Sequence, residues 1–263
     1  MNSVGIDISK GRSTIAVMRP FGEVAISPFE VRHTDSELSE LARRLKSLNG
    51  ETRVVMEATG NYHAPVAKQL HDAGLYVSVV NAKLVHGYGN NDLRRVKTDR
   101  KDAIKLANYG LDRWLTLPRY IPEENTRLLL KNCYRQYRQY YKVQTVLKNN
   151  LISLLDMTFP NANRLFNSPA RADGSEKWVD FVAEFWHCEC VSERPLKSFV
   201  NKYWRWCRKH GYNFSEEKAH AIYDEASGHI GVMPKSETTK LLVEQAVSQL
   251  SATSAALAVL KQE

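Results

Sequence analysis

Three short apolar runs joined only by tight turns open the chain, and they limit the folds that it can adopt. The runs cover residues 4–9, 13–17 and 24–31. Strands joined by so few residues pair antiparallel. Two later apolar runs, 53–56 and 75–80, are each preceded by a helical pattern, so they are expected to be parallel strands. The order predicts an α/β fold with a mixed, RNase H-like sheet and flanking helices.

The composition is that of a folded, basic protein. Of 263 residues, 43% are hydrophobic and 25% charged, and 37 Lys plus Arg against 29 Asp plus Glu give a net charge of +8. Such an excess suits a polyanionic partner. The four cysteines are scattered and the N-terminus has no secretion signal, which favours the cytoplasm. No apolar run is long enough for a membrane span, so no membrane partner is expected.

Four acidic residues lie where such a sheet would bring them together. Asp7 is in the first strand and Glu57 ends the fourth, and these strands are predicted to be central neighbours. Asp99 and Asp102 are three residues apart at a predicted helix start, so they share one helix face. Clustered carboxylates can hold Mg²⁺ or Mn²⁺ at a scissile phosphate.

Each acid also has an ordinary structural interpretation. Asp7 suits a buried, hydrogen-bonded strand acid, and Glu57 a simple strand-end acid. Asp99 and Asp102 suit a solvated helix N-terminus, where the helix dipole favours acids. The combination of all four positions favours the metal site. Basic residues surround the helical pair, namely Arg94, Arg95, Lys97, Arg100 and Lys101.

Three blocks of sequence carry a family resemblance. GIDISK at 5–10, MEATGNY at 56–62 and KTDRKDA at 97–103 resemble, in order, the signature blocks of the DEDD insertion-sequence transposases, which include bridge-RNA-guided recombinases and Piv-type DNA invertases. The resemblance implies a RuvC-like nuclease domain, with Asp7, Glu57, Asp99 and Asp102 as the catalytic, Mg²⁺-binding tetrad. It also implies strand exchange on DNA, a structured guide RNA, and nucleic-acid contacts by Lys10 and the basic residues of 94–101.

The chain departs from this family at its C-terminal end. Family members continue into a domain with a nucleophilic serine, and no serine here matches that context. We therefore expect a truncated, decayed or short form. The alternatives are a stand-alone RuvC-like junction nuclease, a nucleic-acid-binding protein without catalysis and, more remotely, an actin-like ATPase.

The remaining sequence is predicted to be helical. We divide the chain into a nuclease domain (1–118), a long coiled-coil helix (119–160), a basic and aromatic helical insert (161–236) and a second coiled-coil helix (237–263). Apolar residues in both long helices alternate at spacings of 3 and 4, a pattern that indicates antiparallel pairing and a homodimer or higher oligomer. Arg135 and Arg138 on the first helix are candidate nucleic-acid contacts.

The insert contains two further candidate sites. Residues 202–210 mix basic and aromatic side chains, so Lys202 and Arg205 are candidate nucleic-acid contacts, with the aromatics either stacking on bases or forming a core. His187, Cys188, Cys190, Cys207 and His210 allow a zinc hypothesis. Their spacing is not a standard zinc motif, and reduced structural thiols are the favoured interpretation.

Overall fold

A computed structural model describes residues 1–88 and 98–262. The chain forms two compact units, 1–123 and 124–263. The boundary follows Glu123, five residues after the predicted end of the nuclease domain. Arg94, Arg95 and Lys97 lie outside the described residues. In the part of the chain that is described, no helix is long and apolar enough to cross a bilayer.

The first unit is built on a five-stranded mixed sheet. The sheet has the order β3-β2-β1-β4-β5, in which β1–β2 and β2–β3 are antiparallel and β1–β4 and β4–β5 are parallel. The predicted RNase H-like arrangement is therefore confirmed. The strands are β1 (Asn2–Ser9), β2 (Arg12–Arg19), β3 (Glu23–Arg32), β4 (Thr52–Glu57) and β5 (Tyr76–Val80).

The hairpin between β1 and β2 has a two-residue turn, Lys10 and Gly11. Gly11 has φ of +79°, a left-handed conformation that glycine adopts without a steric penalty. Tight two-residue hairpins require such backbone conformations. The turn therefore fixes the antiparallel direction of β2 and leaves Lys10 exposed at the tip.

In the described part of the first unit, four α-helices cover both faces of the sheet. They are α1 (Asp35–Lys46), α2 (His63–Asp72), α3 (Ala82–Gly87) and α4 (Asp99–Asp112). Thr34 caps α1, its hydroxyl accepting from the Glu37 amide at 3.4 Å. The Glu37 carboxylate reaches back to the amide of Arg32 at 2.7 Å, which ties the helix to the end of β3.

Residue alternation along the strands divides the core into two layers. Val4, Ile6 and Met56 pack with buried leucines of α1 and α2. The intervening residues face the opposite side, where Val55 packs with Leu106 and Tyr109 of α4. Successive strand residues point to opposite faces. Asp7 and Glu57 consequently share the α4 side of the sheet with Gly5 and Val55.

The second unit is helical. Its helices are α5 (Asn125–Thr158), α6 (Lys177–Glu184), α7 (Glu189–Ser192), α8 (Leu196–His210), α9 (Glu216–Gly228) and α10 (Glu237–Gln262). Both predicted long helices exist. α5 begins six residues later and ends two residues earlier than the predicted segment 119–160.

The two long helices pack antiparallel. Gln144 near the middle of α5 donates to the Ser254 hydroxyl of α10 at 2.8 Å. At the end of α5, the Met157 carbonyl accepts from the amides of Val232 and Met233, shortly before α10 begins. The end of one helix therefore meets the start of the other. Whether the pair belongs to a coiled coil between chains stays a prediction.

The insert between these helices contributes the aromatic part of the core of the second unit. Phe181, Phe185, Phe199 and Tyr203 are fully buried, and Trp206 is 2% exposed. Their rings form a connected set of edge-to-face and stacked contacts. This arrangement supports the interpretation in which the aromatics form a core rather than a stacking surface for bases.

Candidate metal and nucleic-acid site

The strand register brings two of the predicted acids side by side. Ile6 of β1 pairs with Met56 of β4 in a parallel ladder. The next residue on each strand is Asp7 and Glu57. Parallel neighbours lie about 4.8 Å apart, and both side chains are on the same face by alternation. Both residues are half-buried at the carboxyl ends of their strands.

Helix α4 contributes the other two acids from its first turn. Thr98 is the N-cap, and its hydroxyl accepts from the Lys101 amide at 3.3 Å. This cap begins the helix immediately before Asp99 and places both acids at the positive end of the helix dipole. Asp99 is exposed and Asp102 is half-buried.

All four predicted acids line one cavity of about 590 Å³. They come from three separate segments of the chain, which the fold brings together. Other lining residues include Ser9, Thr59, Lys83, His86 and Lys105. Lys105 donates from Nζ to the His86 carbonyl at 3.4 Å, linking α4 to α3.

The donor chemistry fits a hard divalent cation, because Mg²⁺ and Mn²⁺ prefer carboxylate oxygens. Within residues 1–88 and 98–262, however, no three His, Cys, Asp or Glu side chains lie close enough together to hold a metal ion. The carboxylates line the cavity without converging on a single point. One or two carboxylates, together with substrate phosphates, are enough to hold Mg²⁺.

Sequence reasoning missed the cationic side of this cavity. Lys83 and His86 are exposed on α3, and Lys105 is half-buried on α4. Lys105 follows Asp102 by three residues, so its helix face was predictable from spacing. The contribution of α3 was not, since it depends on how that short helix sits against α4.

The predicted nucleic-acid contacts are dispersed. Arg100 and Lys101 are exposed on the first turn of α4, and Arg135 and Arg138 are exposed on α5. Arg205 is exposed on α8. Lys202 is instead engaged within its own unit, 3.3 Å from a Glu184 carboxylate oxygen and 4.7 Å from the centre of the Phe185 ring.

The zinc hypothesis finds no support among the described residues. His187 Nε2 lies 3.0 Å from the Met233 carbonyl, and His210 stacks on Trp206 with ring centres 5.1 Å apart. Burial raises the pKa of the Cys190 and Cys207 thiols, which keeps them protonated and disfavours the thiolate that zinc requires. The cysteines are free thiols in this structure.

A mixed sheet of this order, with acids at the carboxyl ends of β1 and β4 and on a crossing helix, defines an RNase H-like domain. The sequence of the domain assigns it more narrowly. A family model described as a transposase, of the IS110 type with a DEDD tetrad, matches residues 4–160. The chain belongs to this transposase family.

Two relatives and two solved structures are similar to parts of the chain. The chain is 27% identical over 134 residues to the pilin gene-inverting proteins of Moraxella bovis and Moraxella lacunata, covering 51% of this chain and 38% of each relative. It thus matches about two fifths of their length. Thermus thermophilus RuvC, alone and with a Holliday junction substrate, is similar to 46% of the chain. The identities are 16% and 13% and the TM-scores 0.32 and 0.33, and RuvC is covered over 100% and 99% of its chain. Strand order and register, rather than these similarities, define the fold.

Proposed function

We propose that the chain carries out metal-dependent phosphoryl transfer on DNA as a transposase or site-specific recombinase. Asp7, Glu57, Asp99 and Asp102 bind Mg²⁺ or Mn²⁺ in this proposal. The observation that carries it is the cavity that these acids share, although they come from three separate segments. Bound ions would stabilise the charge that develops on the oxygens of a scissile phosphate.

The residues of the chain have distinct roles in this proposal. The carboxylates hold the cations, and the helix dipole at the start of α4 lowers the cost of placing two acids together there. Lys105, held by the His86 carbonyl, contributes positive charge on the same cavity wall. Exposed Lys10, Arg100 and Lys101, together with Arg94, Arg95 and Lys97 outside the described residues, contact the nucleic-acid backbone.

The proposed macromolecular partners are DNA and a structured guide RNA. Support comes from the net charge of +8 and the family to which the chain belongs. In the second unit, the proposed contacts are the exposed Arg135, Arg138 and Arg205. Lys202 is also a proposed contact, and it forms a salt bridge with Glu184. A cytoplasmic location is consistent with a DNA substrate.

We also propose self-association through α5. Its first half exposes apolar side chains at unusually high fractions, with Leu128 at 47%, Leu129 at 65% and Tyr134 at 62%. Contiguous exposed apolar residues favour a protein contact. Light scattering across protein concentrations would detect a dimer, and Leu129→Lys should shift it to monomer. A monomer at every concentration contradicts this part of the proposal.

Metal binding is the direct test of the site. Calorimetric titration of Mn²⁺ into wild type, Asp7→Asn, Glu57→Gln and Asp102→Asn should show binding only in wild type, or binding weakened about 10–100-fold in each variant. Glu40→Gln, on α1 at the opposite face of the sheet, is the matched control. Equal Mn²⁺ affinity in all five proteins would overturn the assignment of the tetrad.

A further inference from the structure

Three cations of the second unit surround two aromatic rings, outside the acidic cavity. The Arg171 Cζ lies 3.9 Å from the centre of the Tyr212 ring, and Lys177 Nζ lies 5.1 Å from the same centre. Lys177 Nζ also lies 4.9 Å from the centre of the Phe166 ring, and Lys218 Nζ is 5.6 Å from it. The three side chains come from the loop before α6, from α6 and from α9.

Backbone acceptors hold this cluster in place. Arg171 Nη2 donates to the carbonyls of His210 at 2.8 Å and Gly211 at 3.0 Å. Lys177 Nζ donates to the Asn213 carbonyl at 3.4 Å. The segment that follows α8 therefore fixes two of the cations, and little reorganisation is needed to bind a ligand.

The cluster has an excess of positive charge. Among the described residues, neither Arg171, Lys177 nor Lys218 forms a salt bridge with a carboxylate. Nearby acids offset part of this charge: Asp173 accepts from the Ser175 amide at 2.9 Å and Asp180 from the Tyr212 hydroxyl at 2.5 Å. The Ser175 hydrogen bonds, and to a smaller extent Arg171, lower the pKa of Asp173.

The electrostatics of Lys177 agree with this geometry. Burial lowers the pKa of Lys177, and neighbouring Lys218 and Arg171 lower it further, while Cys207 acts in the opposite direction. A nearby positive charge disfavours the protonated, charged form of a lysine. An anion between them would relieve this repulsion.

We propose that Arg171, Lys177 and Lys218 bind the phosphodiester backbone of a nucleic acid. Arg171 is exposed and both lysines are half-buried, so a strand can reach them. Backbone phosphates are compact anions that need positive charge rather than a shaped pocket. The choice of nucleic acid as the ligand rests on the proposed function. The existence of the cationic cluster is independent of that function.

The test replaces lysines by methionine, which removes the charge but keeps an unbranched apolar side chain. We would measure binding of a short duplex DNA and of a single-stranded RNA of the same length by fluorescence anisotropy, at salt concentrations from about 50 to 200 mM. The variants are Lys177→Met, Lys218→Met and their combination. Lys197→Met, at an exposed lysine of α8, is the control with the same change in net charge as each single variant.

The double variant should bind about tenfold more weakly, and the slope of log affinity against log salt should fall by about 0.9 for each lost phosphate contact on duplex DNA. Loss for DNA alone assigns the site to DNA, and loss for RNA alone assigns it to RNA. Either result supports the proposal. Equal affinity and slope in Lys177→Met, Lys218→Met and Lys197→Met would overturn it.

Two additional measurements keep the outcomes separate. Thermal unfolding checks each fold, and if Lys177→Met unfolds, Lys218→Met carries the comparison. If inorganic phosphate stabilises wild type more than the double variant while nucleic-acid affinity is unchanged, the site binds a free anion and the backbone proposal is wrong. Should wild type bind neither DNA nor RNA, the proposed function fails as well. Wild-type binding that the cluster variants retain rejects this inference alone.

Discussion

Gly5 of β1 lies so close to Ala103 of α4 that a Cβ atom on Gly5 would stand 2.0 Å from the Ala103 carbonyl oxygen. The same atom would lie 2.4 Å from the Ala107 nitrogen. Asp7 is two residues beyond Gly5 on the same strand face, and Asp102 immediately precedes Ala103. Direct backbone contact between strand and helix therefore sets the separation of two proposed metal ligands.

Gly5→Ala should push α4 away from the sheet, because a buried backbone cannot yield by 1 Å or more at that point. We expect a loss of about 1–3 kcal/mol in the free energy of unfolding, with weaker Mn²⁺ binding in the protein that remains folded. Denaturant titration and calorimetry would measure both. Gly228→Ala is the control, since a Cβ there meets nothing within 4 Å. Unchanged Mn²⁺ affinity in Gly5→Ala would show that the helix position does not govern the site.

Metal binding should stabilise the fold. Mn²⁺ at about 100 times its dissociation constant should raise the free energy of unfolding by about 2.7 kcal/mol. Glu57→Gln should show little of this increase, because it removes one of four carboxylates from the cavity. Thermal melts with and without Mn²⁺ would measure the effect, with Glu40→Gln as the matched acid. An equal increase in Glu57→Gln would contradict the assignment of Glu57.

The hydrogen bond between Gln144 and Ser254 should contribute to pairing of α5 with α10. Ser254 is buried at 5% exposure, so Gln144→Ala leaves its hydroxyl without its 2.8 Å partner. We expect a cost of about 0.5–1.5 kcal/mol. The double variant Gln144→Ala with Ser254→Ala should recover part of it, and denaturant unfolding of wild type, the two single variants and the double variant completes the cycle. Purely additive losses would show that the pair does not interact.

Stability should fall on mild acidification through His33. Burial lowers the pKa of His33 below the ordinary histidine value of 6.5. The unfolded chain therefore takes up a proton more readily than the folded chain, so this contribution is present above pH 6.5 and is lost as pH falls through the folded pKa. The stability difference between wild type and His33→Gln should shrink between about pH 7.5 and pH 5. A difference that stays constant with pH would show that His33 is not responsible.

Much of the first unit was predictable because its signals are local. Tight turns fix the antiparallel strands, and helices between the later strands require parallel pairing. Alternation then assigns Asp7 and Glu57 to one face. Spacing along α4 does the same for Asp99 and Asp102. Bringing the two pairs into one cavity also requires β1 beside β4 and α4 across them, which follows from the RNase H-like strand order rather than from local rules.

In the aromatic insert, helical spacing distinguishes buried from exposed residues, although the mixed basic and aromatic composition does not. Phe199, Tyr203, Trp206 and Cys207 are buried, and they recur at the spacing of one helix face. Trp204 lies off that face and is 41% exposed. Periodicity therefore separates core aromatics from surface ones, although the mixture of basic and aromatic residues suggested a single nucleic-acid surface.

Other features depend on contacts between distant segments, and no local pattern predicts them. The cluster of Arg171, Lys177 and Lys218 forms only because Tyr212 and Phe166 bring three elements together. The contribution of α3 to the acidic cavity is of the same kind. Such sites arise from packing, so a single sequence gives no spacing by which to find them.

The chain leaves α5 and returns to α10 at nearly the same point, since the Met157 carbonyl receives the amides of Val232 and Met233. Residues between these positions can therefore vary in number without altering the register of the long helices. Yet Leu151 and Leu155 of α5 and Val243 of α10 belong to the same apolar core as the insert. The insert is free to change in length at its surface loops, but its removal would strip the ends of both helices of their apolar cover.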